Sequence, residues 1–280
     1  MFCINCGKQL PAEARFCAYC GKALVQQNNL GDDFKGITIE VEQPACEVID
    51  DVNAKVVSVE KVNPDTPEGA YIFAKRYETG ENGFERSLRK AFDLYVKAAR
   101  AGYDAAQLRL GSAYENGEMN LKENYEKAYD WYLKAANSGN VEAMFILAEA
   151  YNYEELELEE DEDEAFEWYL KAAKNGHVDA QVIVAEAYEL ENLGVDEDEE
   201  EALEWYLKAA NNGNVEAMYK VGDMYYWLAR EIADENEDDD DEEFAVTDEE
   251  LECMENAKKW LQKAAACNHK QAERMLRQYF

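Results

Sequence analysis

The sequence predicts an all-α fold, an α-solenoid of repeated helix pairs preceded by a small cysteine-rich module. A Trp-Tyr-Leu-Lys-Ala-Ala segment begins at residues 131, 168 and 205, and a looser copy begins at residue 94. A glycine follows each copy, at Gly102, Gly139, Gly176 and Gly213, so the period is 37 residues. Self-similarity at this period is typical of solenoids, in which each unit buries its apolar face by stacking on its neighbours. Such a scaffold favours binding over catalysis.

The second observation, at the start of the chain, is a doubled motif. Phe-Cys-x-x-Cys-Gly-Lys begins at residue 2 and again at residue 16. Two CxxC pairs can place four thiolates around one ion in the tetrahedral geometry of a closed structural zinc site. A redox dithiol is the chief rival, but redox motifs accompany a βαβ pattern that is absent here. The predicted ligands of one structural zinc ion are Cys3, Cys6, Cys17 and Cys20.

Residues 1–25 resemble the short bacterial zinc-ribbon domains found at the start of many multidomain chains. The resemblance implies a module for contact with protein or nucleic acid. Residues 26–66 are predicted to form a flexible linker, because polar residues and glycine are frequent there and prolines interrupt any helix. This linker is long enough for the ribbon to fold back on the solenoid as an autoinhibitory clasp, which the sequence leaves open as an alternative.

Two helices are predicted within each 37-residue unit. In the first, Gln107, Leu110, Gly111 and Tyr114 follow the spacing i, i+3, i+4, i+7 of one helical face, and the second helix repeats this spacing around Trp131. Small residues at the Gly111 position would let two helix backbones approach closely, and aromatic residues would fill the space between units. The predicted units are 67–102, 103–139, 140–176, 177–213 and 214–268, with a capping helix at 269–280.

This pattern resembles the Sel-one-like repeat (SLR) family, relatives of the tetratricopeptide repeats, over residues 67–280. The matching residues of the second unit are Ala106, Leu110, Gly111, Tyr114, Ala128, Trp131, Tyr132, Ala135, Ala136 and Gly139. The resemblance implies a right-handed superhelix of antiparallel helix pairs that serves as an adaptor and binds on its concave face. Two departures are an 18-residue insertion between Tyr225 and Ala257, and Arg277 at a small-residue position in the last helix, as expected of a cap that faces water.

Charge indicates the kind of partner. The chain has 28 basic and 62 acidic residues, a formal charge of −34, and should therefore repel nucleic acid and anionic membranes and attract basic proteins. Acidic runs at 154–164, 196–201, 238–243 and 248–250 are predicted to lie in loops between paired helices and to line up as a negative ridge. A solvated edge without a partner is the alternative. No apolar run is long enough to span a membrane, and the CxxC pairs favour a reducing cytoplasm.

A second set of first-helix residues lies one step round from the core-facing set. In tetratricopeptide-like solenoids such positions line the concave groove. The set mixes apolar side chains with carboxylates, which predicts a partner segment that carries Lys or Arg and hydrophobic side chains. The predicted partner-binding residues are Tyr71, Lys75, Leu108, Ser112, Phe145, Glu149, Asn152, Val182, Glu186, Glu189, Tyr219, Asp223 and Tyr226.

No catalytic residue is predicted. His177 and His269 occupy the same repeat position, the first residue after the turn between units, which favours a structural role over that of a general base. A carboxylate-based hydrolase remains the catalytic alternative, but no singular polar cluster supports it. The predicted function is a non-enzymatic protein-interaction adaptor with a structural zinc ribbon. The alternative is a regulator that contacts nucleic acid through the ribbon.

Overall fold

The computed structural model describes residues 62–81, 83–237 and 246–280. Within these ranges the regular structure is α-helical, apart from a one-turn 3-10 helix at Glu155–Glu157. The predicted all-α fold is therefore confirmed for this part of the chain. The helices are α1 (Pro67–Thr79), α2 (Leu88–Arg100), α3 (Asp104–Glu115), α4 (Tyr125–Asn137), α5 (Val141–Asn152), α6 (Glu162–Lys174), α7 (Val178–Leu190), α8 (Glu199–Asn211), α9 (Val215–Glu237), α10 (Asp248–Ala266) and α11 (Lys270–Tyr279).

Each helix packs against its neighbours in chain order. The helices therefore form five pairs, α1–α2 to α9–α10, and α11 follows the last pair. Contacts within a pair alternate with contacts between one pair and the next, as in a solenoid whose stability comes from nearest-neighbour interfaces. The predicted stack of helix pairs is confirmed.

The second helix of each pair begins at a side-chain cap. Five capping residues have extended backbones, and each accepts a hydrogen bond from the backbone amide three residues further on. This bond satisfies one of the amides that lack a partner inside the helix. The caps are Ser87, Asn124, Asp161, Asp198 and Thr247.

The acidic runs lie only partly in loops, contrary to the prediction from the sequence. Residues 162–164, 199–201 and 248–250 form the first turns of α6, α8 and α10. Carboxylates at a helix N-terminus interact favourably with the helix macrodipole, by about 0.3–1 kcal/mol each at a surface. Helix stability thus explains some of the acidic residues in these runs. The run at 238–243 lies outside the described residues.

The insertion in the fifth unit lengthens both helices of the pair. Helix α9 has 23 residues, where the first helices of the other units have 12 or 13, and α10 has 19, where the other second helices have 13. Sequence around Ala229 and Arg230 contains good helix formers and no proline, so α9 continues past the point where the other first helices end. Asp248-Glu249-Glu250 lies in the first turn of α10 instead of a loop.

A tyrosine of the repeated segment lies at the centre of each of the first four units. Tyr95, Tyr132, Tyr169 and Tyr206 are at most 1% exposed. A Cβ atom added to Gly111 would lie 2.6 Å from the ring of Tyr132, so this glycine makes room for the ring. At the equivalent position of the fifth unit, an added Cβ atom on Gly222 would lie 3.1 Å from the backbone nitrogen of Leu261, so the predicted close approach of two helices is seen there.

The turns between units confirm the predicted helix ends. The four repeat glycines have φ angles from 86° to 94°, in the left-handed region that glycine favours. After α10 the same position is occupied by Asn268, at φ 64°. The following residue caps the next first helix, and His177 and His269 each accept a backbone amide hydrogen bond there through Nδ1. The capping contact supports the structural role predicted for both histidines.

One buried polar atom lacks the partner that its repeat counterpart has. Asn212 donates from Nδ2 to Gln181 Oε1 at 3.0 Å, whereas the buried Oε1 of Gln107 has no hydrogen-bond partner among the described residues. The residue equivalent to Asn212 is Ser138, which ends α4 with nearly the same backbone angles.

We expect Ser138→Asn to stabilise the protein, because its amide would supply the missing donor to Gln107. A net hydrogen bond contributes about 1 kcal/mol, which urea unfolding followed by circular dichroism can resolve. Ser138→Ala is the matched control. Equal stability of the two variants would contradict the prediction.

Candidate interaction surface

The first helices of successive units lie side by side. Side chains connect α1 to α3, α3 to α5, α5 to α7 and α7 to α9. The contacts are Glu78–Arg109, Asp104–Asn140 at 2.9 Å, Glu142–His177 at 3.6 Å and Glu189–Lys220 at 2.8 Å. We call the surface made by these five helices the first-helix face. The five helices contain all thirteen predicted partner-binding residues.

Five of these residues pack between units. Phe145 stacks on His177 with ring centroids 4.2 Å apart, and Tyr219 stacks on His269 at 4.6 Å. All five are partly buried against the core. Much of their apolar area is therefore used to join one unit to the next. The five residues are Tyr71, Leu108, Phe145, Val182 and Tyr219.

Carboxylates of the first helices accept hydrogen bonds from the buried tyrosines. Tyr132 donates to Glu115 at 2.5 Å, and Tyr206 donates to Glu189 at 2.5 Å. The same bond joins Tyr95 to a glutamate of α1. Burial raises the pKa of these tyrosines and the carboxylates raise it further, so the hydroxyls remain donors. The first, second and fourth units thus have a polar link between their two helices.

The third unit makes this link with a different residue. Asn152 occupies the position of the missing glutamate, and its Nδ2 lies 3.4 Å from the Tyr169 hydroxyl. Glu149, one helical turn earlier, accepts the hydrogen bond from Tyr169 at 2.8 Å instead. Glu149 and Asn152 therefore both support the core of this unit.

Cations accompany some of these carboxylates and not others. Arg109 pairs with Glu78, and although burial acts to raise the pKa of Glu78, its hydrogen bonds from Arg109 and Tyr95 lower it overall. Isoleucine replaces the cation in the third and fourth units. None of the ion pairs in the described part of the chain includes Glu115. The middle of the first-helix face is therefore acidic without a matching cation.

For two carboxylates of this face, Glu186 and Asp223, nearby positive charge does not offset the effect of burial on the pKa. Both are half-buried. Burial raises the pKa of Glu186, and Lys220 only partly offsets the rise. Burial also raises the pKa of Asp223, partly offset by Lys220 and by a hydrogen bond from the Trp227 side chain. Within the described residues, Glu186 makes no side-chain hydrogen bond or ion pair.

Two depressions open on the first-helix face. One, of about 430 Å³, is lined by Leu108, Ser112, Glu115 and Ile146, with Tyr71 at its margin. Another, of about 270 Å³, combines Tyr153, Ile183 and the carboxylates of Glu162 and Glu186. Both combine apolar walls with carboxylates, so each could receive the aliphatic stem and charged head of a basic side chain.

The two remaining predicted residues differ from the rest in exposure. Lys75 is exposed on α1. Tyr226 is buried, with its ring 4.5 Å from that of Tyr279. Tyr226 therefore contributes to packing at the end of the solenoid.

Three exposed apolar residues of this face were missed by the sequence reasoning. Tyr153, Leu190 and Trp227 are 63%, 63% and 62% exposed. They follow one another at the 37-residue period. That periodicity, at a position where the first two units have Thr79 and Asn116, is the signal that could have revealed them.

The predicted zinc ligands lie outside the described residues. No group of His, Cys, Asp or Glu within the described ranges could hold a metal ion. Four cysteines in two CxxC pairs are a donor set suited to structural zinc. Among the described helices, none is long and apolar enough to cross a membrane.

Known proteins share this architecture. The Sel1 repeat matches residues 67–103, 104–140, 141–177, 178–214, 215–230 and 254–269, and a zinc-ribbon domain matches residues 2–24. The crystal structure of a Sel1 repeat protein from Oxalobacter formigenes is similar, with a TM-score of 0.54 and 25% identity, over 74% of this chain and 76% of that one.

A second solved structure shares the fold. It is c5321, a protective antigen of uropathogenic Escherichia coli strains that displays an SLR fold, with a TM-score of 0.51 and 24% identity, over 76% of this chain and 48% of that one. No curated protein matches the chain. The repeat matches cover well over half of the sequence, and the chain therefore belongs to the Sel1 repeat family.

Proposed function

We propose that the protein is a non-enzymatic adaptor of the reducing cytoplasm. Its solenoid binds partner proteins through segments that carry basic and hydrophobic side chains, and a zinc ribbon held by four cysteines provides a second contact module. The fold supports this proposal, because Sel1 repeat solenoids are typical of protein-interaction scaffolds.

The observation that carries the proposal is a carboxylate of the first-helix face whose charge is only partly compensated. Glu186 is half-buried without a side-chain hydrogen bond or ion pair among the described residues, and its pKa is raised by burial. A Lys or Arg side chain would supply the missing opposite charge through a charge-assisted hydrogen bond. Apolar neighbours such as Ile183 would contact its aliphatic stem.

We expect Glu186→Lys to reduce partner capture by about tenfold or more, because like charges would meet at the contact. The measurement is affinity capture by the full chain from an extract of its native cell, quantified for each captured protein. Glu255→Lys is the matched control, since it makes the same charge change at an exposed position of α10.

Charge reversal at Glu186 tests binding better than reversal at Glu149. Glu149 accepts a hydrogen bond from the buried Tyr169, so a lysine there would also disturb the core. If capture were lost equally in Glu186→Lys and Glu255→Lys, the net charge of the chain alone would explain the interaction. Capture unchanged in Glu186→Lys would refute this site.

A further inference from the structure

The last three units carry two parallel rows on the first-helix face. Tyr153, Leu190 and Trp227 form what we call the apolar row. Glu149, Glu186 and Asp223 form the acidic row, and each precedes its apolar partner by four residues. Residues four apart lie next to each other on one side of a helix, about one turn apart along its axis. Each unit therefore presents one carboxylate beside one exposed apolar side chain.

Both rows begin in the third unit. At the equivalent positions, the first unit has Lys75 and Thr79, and the second has Ser112 and Asn116. Neither unit combines an acid with a large apolar residue. Equivalent positions of successive units fall into line along a solenoid, so the paired rows cross units three to five and stop there.

The exposure of the apolar row is unusual within the repeats. Between residues 67 and 226, the large apolar residues other than Tyr153 and Leu190 are buried or partly buried. Three large apolar side chains in one line, each more than 60% exposed, form the kind of surface that marks a protein contact. One side chain of the row already lines a depression, where Tyr153 lies with Ile183 and Glu186.

We infer that the paired rows are the docking site for an extended partner segment in which hydrophobic and basic residues alternate. The inference rests on the proposed function and specifies where and how the partner binds. A backbone that runs between the rows directs successive side chains to opposite sides. Hydrophobic side chains would then contact the apolar row while Lys or Arg side chains reach the acidic row.

The dimensions suit a short segment. Successive first helices touch through side chains, so their axes lie on the order of 10 Å apart. Three units therefore span about 20 Å, which about six extended residues can cover. A second copy of this chain is disfavoured as the occupant, because each copy carries a formal charge of −34 and acidic rows would face each other.

The test uses the full chain and three fluorescein-labelled 12-residue peptides. One alternates Leu and Lys, the second alternates Ser and Lys, and the third alternates Leu and Glu. At about 0.15 M salt, where exposed charges are screened beyond ~8 Å, we expect the Leu-Lys peptide to bind at least about tenfold more tightly than the Ser-Lys peptide. The Leu-Glu peptide is expected not to bind.

The variants distinguish the contribution of the apolar row to binding from that of the acidic row. Leu190→Ser with Trp227→Ser should weaken Leu-Lys binding about tenfold and leave Ser-Lys binding unchanged. Val246→Ser with Leu251→Ser is the matched control, because it removes two other exposed apolar side chains, 59% and 51% exposed. Bound Leu-Lys peptide should also shield Trp227 from acrylamide quenching, since Trp227 is 62% exposed, whereas Trp168, Trp205 and Trp260 are buried and Trp131 is partly buried.

Each outcome bears on one statement. Unchanged Leu-Lys affinity in the Leu190→Ser, Trp227→Ser variant overturns the apolar row, while loss of affinity in Glu186→Lys would still support the proposed function. Failure of wild type to bind either basic peptide overturns both. A dimer that sedimentation detects in the wild type and not in the row variant would assign the row to a second copy and overturn the inference.

Discussion

Tyr169→Ala is expected to lower the free energy of unfolding by about 3–5 kcal/mol, the usual loss when a large buried aromatic side chain is truncated. Tyr169 is fully buried at the centre of the third unit, and its hydroxyl donates to Glu149. The alanine variant therefore leaves a cavity and removes the only donor that faces Glu149 at ordinary hydrogen-bond distance among the described residues.

The position of this tyrosine increases the effect on cooperativity. In a solenoid each unit is stabilised by the interfaces with its two neighbours, so damage in the middle unit weakens the coupling of both sides. We therefore expect urea unfolding of Tyr169→Ala, followed by circular dichroism, to have an earlier midpoint and a shallower transition.

Two controls separate the contributions. Tyr169→Phe retains the ring and loses the hydroxyl, and we expect a cost of about 1 kcal/mol for the hydrogen bond lost to the partly buried Glu149 carboxylate. Tyr153→Ala removes the same type of side chain from the same unit, at a position that is 63% exposed. If Tyr153→Ala and Tyr169→Ala were equally destabilised, the assignment of Tyr169 to the core would be wrong.

The core could be predicted from the sequence because burial repeats with the period. Leu110, Leu147, Val184 and Val221 occupy one repeat position, and all four are fully buried. A residue that recurs at the same step of each helix faces the same neighbour in each unit, so one helical period and one repeat length determine which side is inside. The third unit is an exception, because Asn152 replaces the usual glutamate and Glu149 accepts the tyrosine hydrogen bond instead.

The polar contacts could be predicted less well. A glutamate near the end of a first helix has the same helical spacing whether it faces solvent or a tyrosine hydroxyl. The exchange in the third unit, where Glu149 replaces the glutamate that is missing at Asn152, depends on side-chain reach across one turn. Periodicity contains no information on that reach, so the sequence predicts only that Glu149 and Asn152 line a groove.

The paired rows and the insertion show two further limits. Hydrophobicity alone favours burial, so it cannot distinguish an exposed apolar residue such as Leu190 from a core residue. The sequence predicts acidic runs in loops, whereas in the structure residues 199–201 form the first turn of α8. Helix N-termini and loops both favour carboxylates, so composition does not distinguish them.

Removal of zinc is expected to have the largest local effect, because a segment of about two dozen residues cannot bury enough apolar surface to fold alone. In zinc-finger peptides the metal contributes about 10–16 kcal/mol at neutral pH. We therefore expect the purified chain to contain one zinc ion, bound by the cysteines of residues 2–24. Chelation should unfold this segment, as detected by faster proteolysis near Arg15.

The solenoid provides an internal control for chelation. No group of side chains in the described ranges could hold a metal ion, so the helical signal and the thermal midpoint of the repeats should not change when zinc is removed. Replacement of Cys3, Cys6, Cys17 and Cys20 by serine should abolish zinc binding with the same retention of helix. Full zinc content in the four-serine variant would contradict the ligand assignment. Four free thiols with no bound metal in the wild type would contradict the zinc site, because closed thiolate sites retain their ion under native conditions.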